Sequence, residues 1–164
     1  MIIIKYFWVL FIATTVINAF ILRARSKKYT AEKPQLKEGY NKLFKGFIIY
    51  TNIPWVIMMI GDLTGSTQNV FEYLNPRSLN PVVLLFHLSL IILWFLLVRW
   101  IYFKRGAEFL EKHPGFIRVS GIRGRSDVTA KQIKFFLPIM ILGGVFAMIM
   151  MWFSPIPSTE LIQP

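Results

Sequence analysis

The chain has 164 residues, of which 55% are hydrophobic and only 16% charged, with a formal net charge of +11 and no cysteine. Soluble domains carry about 25% charged residues, so a water-facing globule is nearly excluded, and the length fits a single membrane domain over residues 1–164. The lack of cysteine removes disulfides, thiolate metal sites, iron–sulfur clusters and cysteine nucleophiles together.

A bilayer core about 30 Å thick needs roughly 20 apolar residues of helix. Four stretches meet or approach that length, and the expected spans are 2–22, 43–61, 81–103 and 135–153. The first is followed, not preceded, by its basic residues, Arg23, Arg25, Lys27 and Lys28. That order is a stop-transfer pattern with the N-terminus left outside, unlike a cleaved signal peptide. The polar linker after it runs to Pro34. Beyond that, Leu36, Tyr40, Leu43, Phe44 and Phe47 fall at helical spacing, which predicts an amphipathic helix lying at the headgroups before the chain turns inward. The second span is short and carries Asn52 and Pro54, so a buried or re-entrant segment is the competing reading.

In the loop 62–80, Asn69 followed three residues later by Glu72 predicts a short interfacial helix ending before Asn75-Pro76. Asn80-Pro81 then opens the third span with proline in the first turn. Arg99, Trp100, Tyr102, Lys104 and Arg105 place cations and aromatics where that helix leaves the membrane. Residues 106–112 are expected to continue the helix, with Glu108 facing Lys112, until His113-Pro114-Gly115 stops it. Residues 116–126 are glycine-broken and basic and read as loop, with Ser126 or Asp127 capping the fourth helix. The tail from Ser154-Pro155 cannot continue the helix and is expected to be extended or frayed.

Charge fixes the expected threading. Residues 23–45 hold eight basic and two acidic residues, and residues 99–134 nine basic and three acidic, so seventeen of the nineteen Lys and Arg lie in two segments. Four spans put both on one side, and Lys and Arg are retained on the cytoplasmic side of short loops. The expectation is an all-α, four-helix integral membrane bundle, N-out and C-out, in a bacterial inner membrane. Loops 23–42 and 104–134 are then cytoplasmic, loop 62–80 and both termini periplasmic, and short interfacial helices lie in the loops. The alternation itself supports the second span. The basic segments serve topology and anionic headgroups, with Arg23, Arg25, Lys27, Lys28, Arg99, Lys104 and Arg105 as the headgroup set. No nucleic-acid motif or aromatic stacking pattern accompanies them, so no nucleic-acid partner is expected.

Polar residues inside spans are the place to look for chemistry. Asn18 and Asn52 stand at similar depths and can share a cross-helix hydrogen bond. Pro54 leaves the Tyr50 carbonyl without its helical partner, so Thr51, Asn52 and that carbonyl can line a polar notch; the competing reading is a kink satisfied by neighbouring helices. His87 and Asp62 lie toward the outside and can pair; the competing reading, which carries the greater weight, is a histidine donating to a backbone carbonyl or serine within the bundle. Met58, Met59, Met140, Met148, Met150 and Met151 with His87 make a weak Cu(I) pattern, and methionine is also ordinary filler. Thr15 with Ala19, and Gly143 with Ala147, are small-residue pairs four apart, suited to close helix seams within the bundle or between copies. No phosphate loop, metalloprotease pair, nucleophile elbow or central membrane carboxylate is present. The reading therefore calls for no catalytic residue, no cofactor and no metal.

Asn52-Ile53-Pro54-Trp55, Asn80-Pro81, Gly106-Ala107-Glu108 and Lys112-His113-Pro114-Gly115 resemble landmarks of a group of small four-span bacterial inner-membrane proteins without an assigned activity. That resemblance implies topology and a bacterial source. Thiol-dependent quinone reductases need cysteines, and small multidrug exporters need a glutamate in the first helix; both are missing. The leading function is a non-enzymatic accessory or scaffold subunit packing against itself, as a homo-oligomer, or against other membrane-protein subunits. A small-solute transporter or channel at Asn52 and Pro54 is the alternative, and an electron-transfer or metal-binding subunit using His87 the third.

Overall fold

The structure is a computed structural model that describes residues 6–121 and 124–153. Lys5 and the tail from Ser154 lie outside the described residues. Helix α1 spans Phe7–Glu32, α2 Lys37–Leu63, α3 Pro81–Val98, α4 Gly106–Glu111 and α5 Ala130–Phe153. Four segments, Phe7–Glu32, Pro34–Leu63, Pro81–Phe103 and Ala130–Phe153, are long and apolar enough to cross a membrane. They pack together as a mostly helical four-helix membrane bundle, since a helix satisfies its own backbone polar groups in hydrocarbon.

Helix α1 continues past the apolar stretch through its basic residues to Glu32. Within it, Ser26 donates to the Arg23 carbonyl and Thr30 to the Ser26 carbonyl, so both hydroxyls are absorbed by the helix itself. Pro34 disfavours helix at Lys33, and α1 ends there, at φ −136°. A 3-10 turn, Pro34–Leu36, leads into α2. The expected surface helix before the second span is not a separate element. Lys37–Leu63 is one helix, and the apolar stripe of Tyr40, Leu43 and Phe44 is buried. Phe116, from the segment after α4, packs on Phe44 and Phe47, which covers that stripe with protein.

The 62–80 connection follows its side-chain caps. Asn69 Oδ1 accepts from the Phe71 N–H at 2.9 Å and opens a 3-10 helix, Val70–Leu74. Glu72 accepts from Gln68 N–H rather than from the Asn69 N–H that a capping box uses. Asn80 Oδ1 caps α3 at the Val82 N–H, 3.0 Å away, with Pro81 in the first turn, while its amide donates to the Ser66 carbonyl.

Helix α3 widens into a π-helical turn over Arg99–Phe103. It does not continue through residues 106–112 as expected. Arg105 takes a left-handed conformation, φ 56°, which breaks the helix, and α4 starts anew at Gly106. A side chain on Gly106 would run into the Trp100 ring, so glycine lets α4 fold back onto the end of α3.

Residues 116–126 contain an antiparallel β-hairpin where loop was expected. Strand β1, Arg118–Gly121, pairs with β2, Gly124–Asp127, in the register Arg118 to Asp127 and Val119 to Ser126. Ser126 and Asp127 therefore belong to a strand and cap no helix. The cap of α5 is Thr129, whose Oγ1 accepts from Gln132 N–H while the Gln132 side chain accepts from Thr129 N–H. This is a reciprocal capping box.

Two apolar clusters hold the bundle, one near each end of α2. Leu43, Ile101, Ala107, Leu110, Ala130 and Leu137 form the cluster at the basic end. Met58, Tyr73 and Val83, flanked by Trp8 and Trp55, form the other. Thr15 and Ala19 are buried along α1, consistent with a small-residue seam inside the bundle. On α5, Gly144 lies against Trp94 of α3, whereas Gly143 faces open space and Ala147 is exposed.

Candidate functional site

The polar residues singled out within the spans do not gather into one site. Asn52 sits within the apolar part of α2 and donates from Nδ2 to the Ile48 carbonyl at 2.7 Å. Its Oδ1 is buried without a partner among the described residues. Asn18 and Thr51 are exposed, and no hydrogen bond joins Asn18 to Asn52. The geometry is a helix-internal bond beside a buried proline, with a single unused acceptor.

Asp62 and His87 also go separate ways. Asp62, in the last turn of α2, accepts from the Trp8 indole N–H at 3.0 Å, which ties α2 to the start of α1. His87, on α3, is buried and its Nε2 lies 2.8 Å from the Tyr73 carbonyl. A carbonyl only accepts, so Nε2 carries a proton and donates. Nδ1 is buried without a partner among the described residues. Tyr73 is the centre of this end of the molecule. Its hydroxyl reaches Thr67 Oγ1 at 3.1 Å and the Met58 carbonyl at 3.3 Å. Burial pushes its phenol above the ordinary tyrosine value. Gly61 makes the approach feasible, because any side chain there would strike the Tyr73 hydroxyl. The methionines are scattered: Met58 is buried here, while Met140 and Met150 are exposed. Among the described residues, no group of His, Asp and Glu is arranged to hold a metal ion.

The basic end is more elaborate than its sequence implied. Arg23, Arg25, Lys27, Lys28, Arg99, Lys104 and Arg105 are all exposed. Tyr40 on α2 donates to the Pro114 carbonyl at 2.6 Å, and His113 Nδ1 lies 2.6 Å from the Phe109 carbonyl. The backbone of Gly39 touches the His113 ring, so a side chain there would displace it. Asp127 accepts from the Gly115 N–H and from Arg118 Nε, and Arg118 also donates to the Tyr29 hydroxyl at 2.8 Å. That last bond, then Asp127, holds the guanidinium above its ordinary value. These contacts bind the hairpin to the long end of α1.

Glu108 and Lys112 stand one helical turn apart, but the expected ion pair between them does not form. It pairs with Lys134 of α5 at 2.6 Å, joining α4 to the fourth span. The hydrogen bond from Lys134 holds the Glu108 carboxyl below the usual glutamate value. Arg105, Glu108, Phe109 and Lys112 line an open cleft of about 450 Å³. Sequence reasoning missed this cleft because it depends on the break at Arg105, which no proline or glycine at that position announces.

Comparison with protein-family models, curated proteins and solved structures finds no match to this chain. The chain is a small polytopic membrane protein with four candidate spans in contact with lipid.

Proposed function

We propose that this protein is a non-enzymatic accessory or scaffold subunit, packing through its membrane faces against a second copy or a larger membrane complex. We further propose a bacterial inner membrane, with both termini periplasmic and the two basic segments cytoplasmic. The observation that carries the scaffold reading is the state of α5. Only 6% of its most apolar stretch is buried within the chain, and Gly143 opens onto free space beside exposed Ile139, Leu142 and Phe146. Small residues flanked by large apolar ones are the composition of membrane helix seams. The other small pair, Thr15 and Ala19, is already buried within the chain.

The chain has no cysteine, so Gly143→Cys creates a unique thiol. Oxidative crosslinking in native membranes should join two copies through a disulfide at position 143, or a larger subunit should co-purify with the uncrosslinked chain. An uncrosslinked protein that purifies alone as a monomer in mild detergent would overturn the reading. Compartment-specific reporters fused at either terminus test the sidedness, and activity of either one in the cytoplasm would reverse it.

A solute-transport reading draws support from one observation, the unused Asn52 Oδ1 buried inside a span. Flux in liposomes that is abolished by Asn52→Leu would favour it, and flux unchanged by that substitution would remove it.

A further inference from the structure

The end of α3 builds something that topology alone does not require. Trp100, in the π-helical turn, packs edge-on against Phe109 of α4, ring centres 6.4 Å apart. The aromatic pair sits where the third span leaves the hydrocarbon, the depth at which tryptophan prefers to lie. Arg105 holds a backbone conformation that L side chains rarely adopt, φ 56°, at a cost on the order of 1 kcal/mol that glycine would not incur. The cleft that follows is about 450 Å³ and is lined by Arg105, Glu108, Phe109 and Lys112. That volume lies within the range of small-molecule pockets, about 300–1,000 Å³.

The lining has a definite polarity. Arg105 and Lys112 are exposed cations, and no salt bridge ties either of them among the described residues. Glu108 is neutralised by Lys134 through one oxygen, Oε1. Its other oxygen, Oε2, is buried with no partner among the described residues. Being buried, that oxygen is out of reach of a molecule lying in the open cleft. The cleft thus offers two cations for an anion, beside an aromatic ring at the membrane boundary.

We infer that the cleft between the end of α3 and α4 binds the headgroup of an anionic phospholipid. The phosphodiester lies between Arg105 and Lys112, and the lipid backbone rests on Phe109. The inference needs only that the bundle stands in a bilayer and is independent of the scaffold role. The shared chemistry is that of a phosphate anion, and a free phosphate is the competing source. The two unneutralised cations favour an anionic over a zwitterionic lipid.

The test uses the full chain reconstituted in vesicles of equal phosphatidylglycerol and phosphatidylcholine, released directly into native mass spectrometry. The expected result is selective retention of phosphatidylglycerol. Arg105→Gly and Lys112→Gln should each lower the retained fraction about fivefold, the equivalent of one cation near a lipid surface. Arg105→Gly also relieves the left-handed strain, so its thermal midpoint should not fall below that of the parent. Lys112→Gln removes an exposed charge with no bonded partner and serves as the second arm. Equal retention of the two lipids, or retention unchanged in both variants, would overturn the assignment. Displacement of the retained lipid by millimolar inorganic phosphate would overturn it in favour of a free-anion site.

Discussion

The Tyr102 hydroxyl donates to the backbone carbonyl of Lys134, 2.5 Å away. That carbonyl lies four residues before Pro138, which sits inside α5. Proline has no N–H to give it, so an α3-side phenol supplies the hydrogen that the α5 backbone lacks. The bond also fixes the exit of the third span against the entry of the fourth. Tyr102→Phe should destabilise the bundle by about 1 kcal/mol. Pro138→Ala restores the helical donor, so in that background the same substitution should cost much less. Thermal unfolding of the four proteins of this cycle measures the coupling, and strict additivity would disprove the link.

Gly61 permits the closest approach at the opposite end of the bundle, where a side chain would collide with the Tyr73 hydroxyl and crowd Thr67 and Val82. Gly61→Ala should therefore destabilise by about 1–3 kcal/mol as an overpacking substitution, even though alanine is the better helix former. Tyr73→Phe removes the struck atom and should recover part of that loss. A Gly61→Ala protein as stable as its parent would show that this knot is loosely packed.

The capping box at the start of α5 gives a local test. Thr129 and Gln132 satisfy each other's neighbouring backbone donors. Thr129→Ala should cost about 1 kcal/mol, with faster amide exchange confined to the first turn of α5. Ser126→Ala should have little effect, because Ser126 is exposed in a strand. Equal effects of the two substitutions would return the cap to the position expected from composition.

How much of this was legible in the sequence depends on the range of the interaction. The four spans follow from length and hydropathy, and the caps at Asn69 and Asn80 from side chains that act two residues away. Thr129 and Gln132 were equally legible, at capping-box spacing, but the acidic and hydroxyl residues just before them drew the assignment. Glu108 illustrates the limit. Its local partner at four residues is Lys112, yet it bonds to Lys134 across the fold, and a tertiary approach cannot be read from helical spacing. The Asp62 and His87 pairing failed for a related reason. Position along a span gives depth, but α3 is apolar on all sides, so nothing in its pattern gives its rotation. Rotation put His87 under the Tyr73 carbonyl and left Asp62 to Trp8.

The tie between Glu108 and Lys134 should make the basic end sensitive to acid. The folded carboxyl is held below its ordinary value of 4.5, first by the hydrogen bond from Lys134. A carboxylate whose folded value is depressed contributes stability above the unfolded value, and loses it as pH falls through the folded one. The contribution is therefore complete at neutral pH and fades below about 4.5. Both partners are well exposed, so the effect is modest and weakens with salt. Glu108→Gln should unfold at a slightly lower temperature than the parent at pH 7, and the gap should close as the pH is lowered through this range. Other carboxylates titrate there as well, but their effects are common to both proteins and cancel in the difference. A gap that persists unchanged at low pH would mean that the side chain at position 108 acts by packing, with its charge contributing nothing to the joint between α4 and α5.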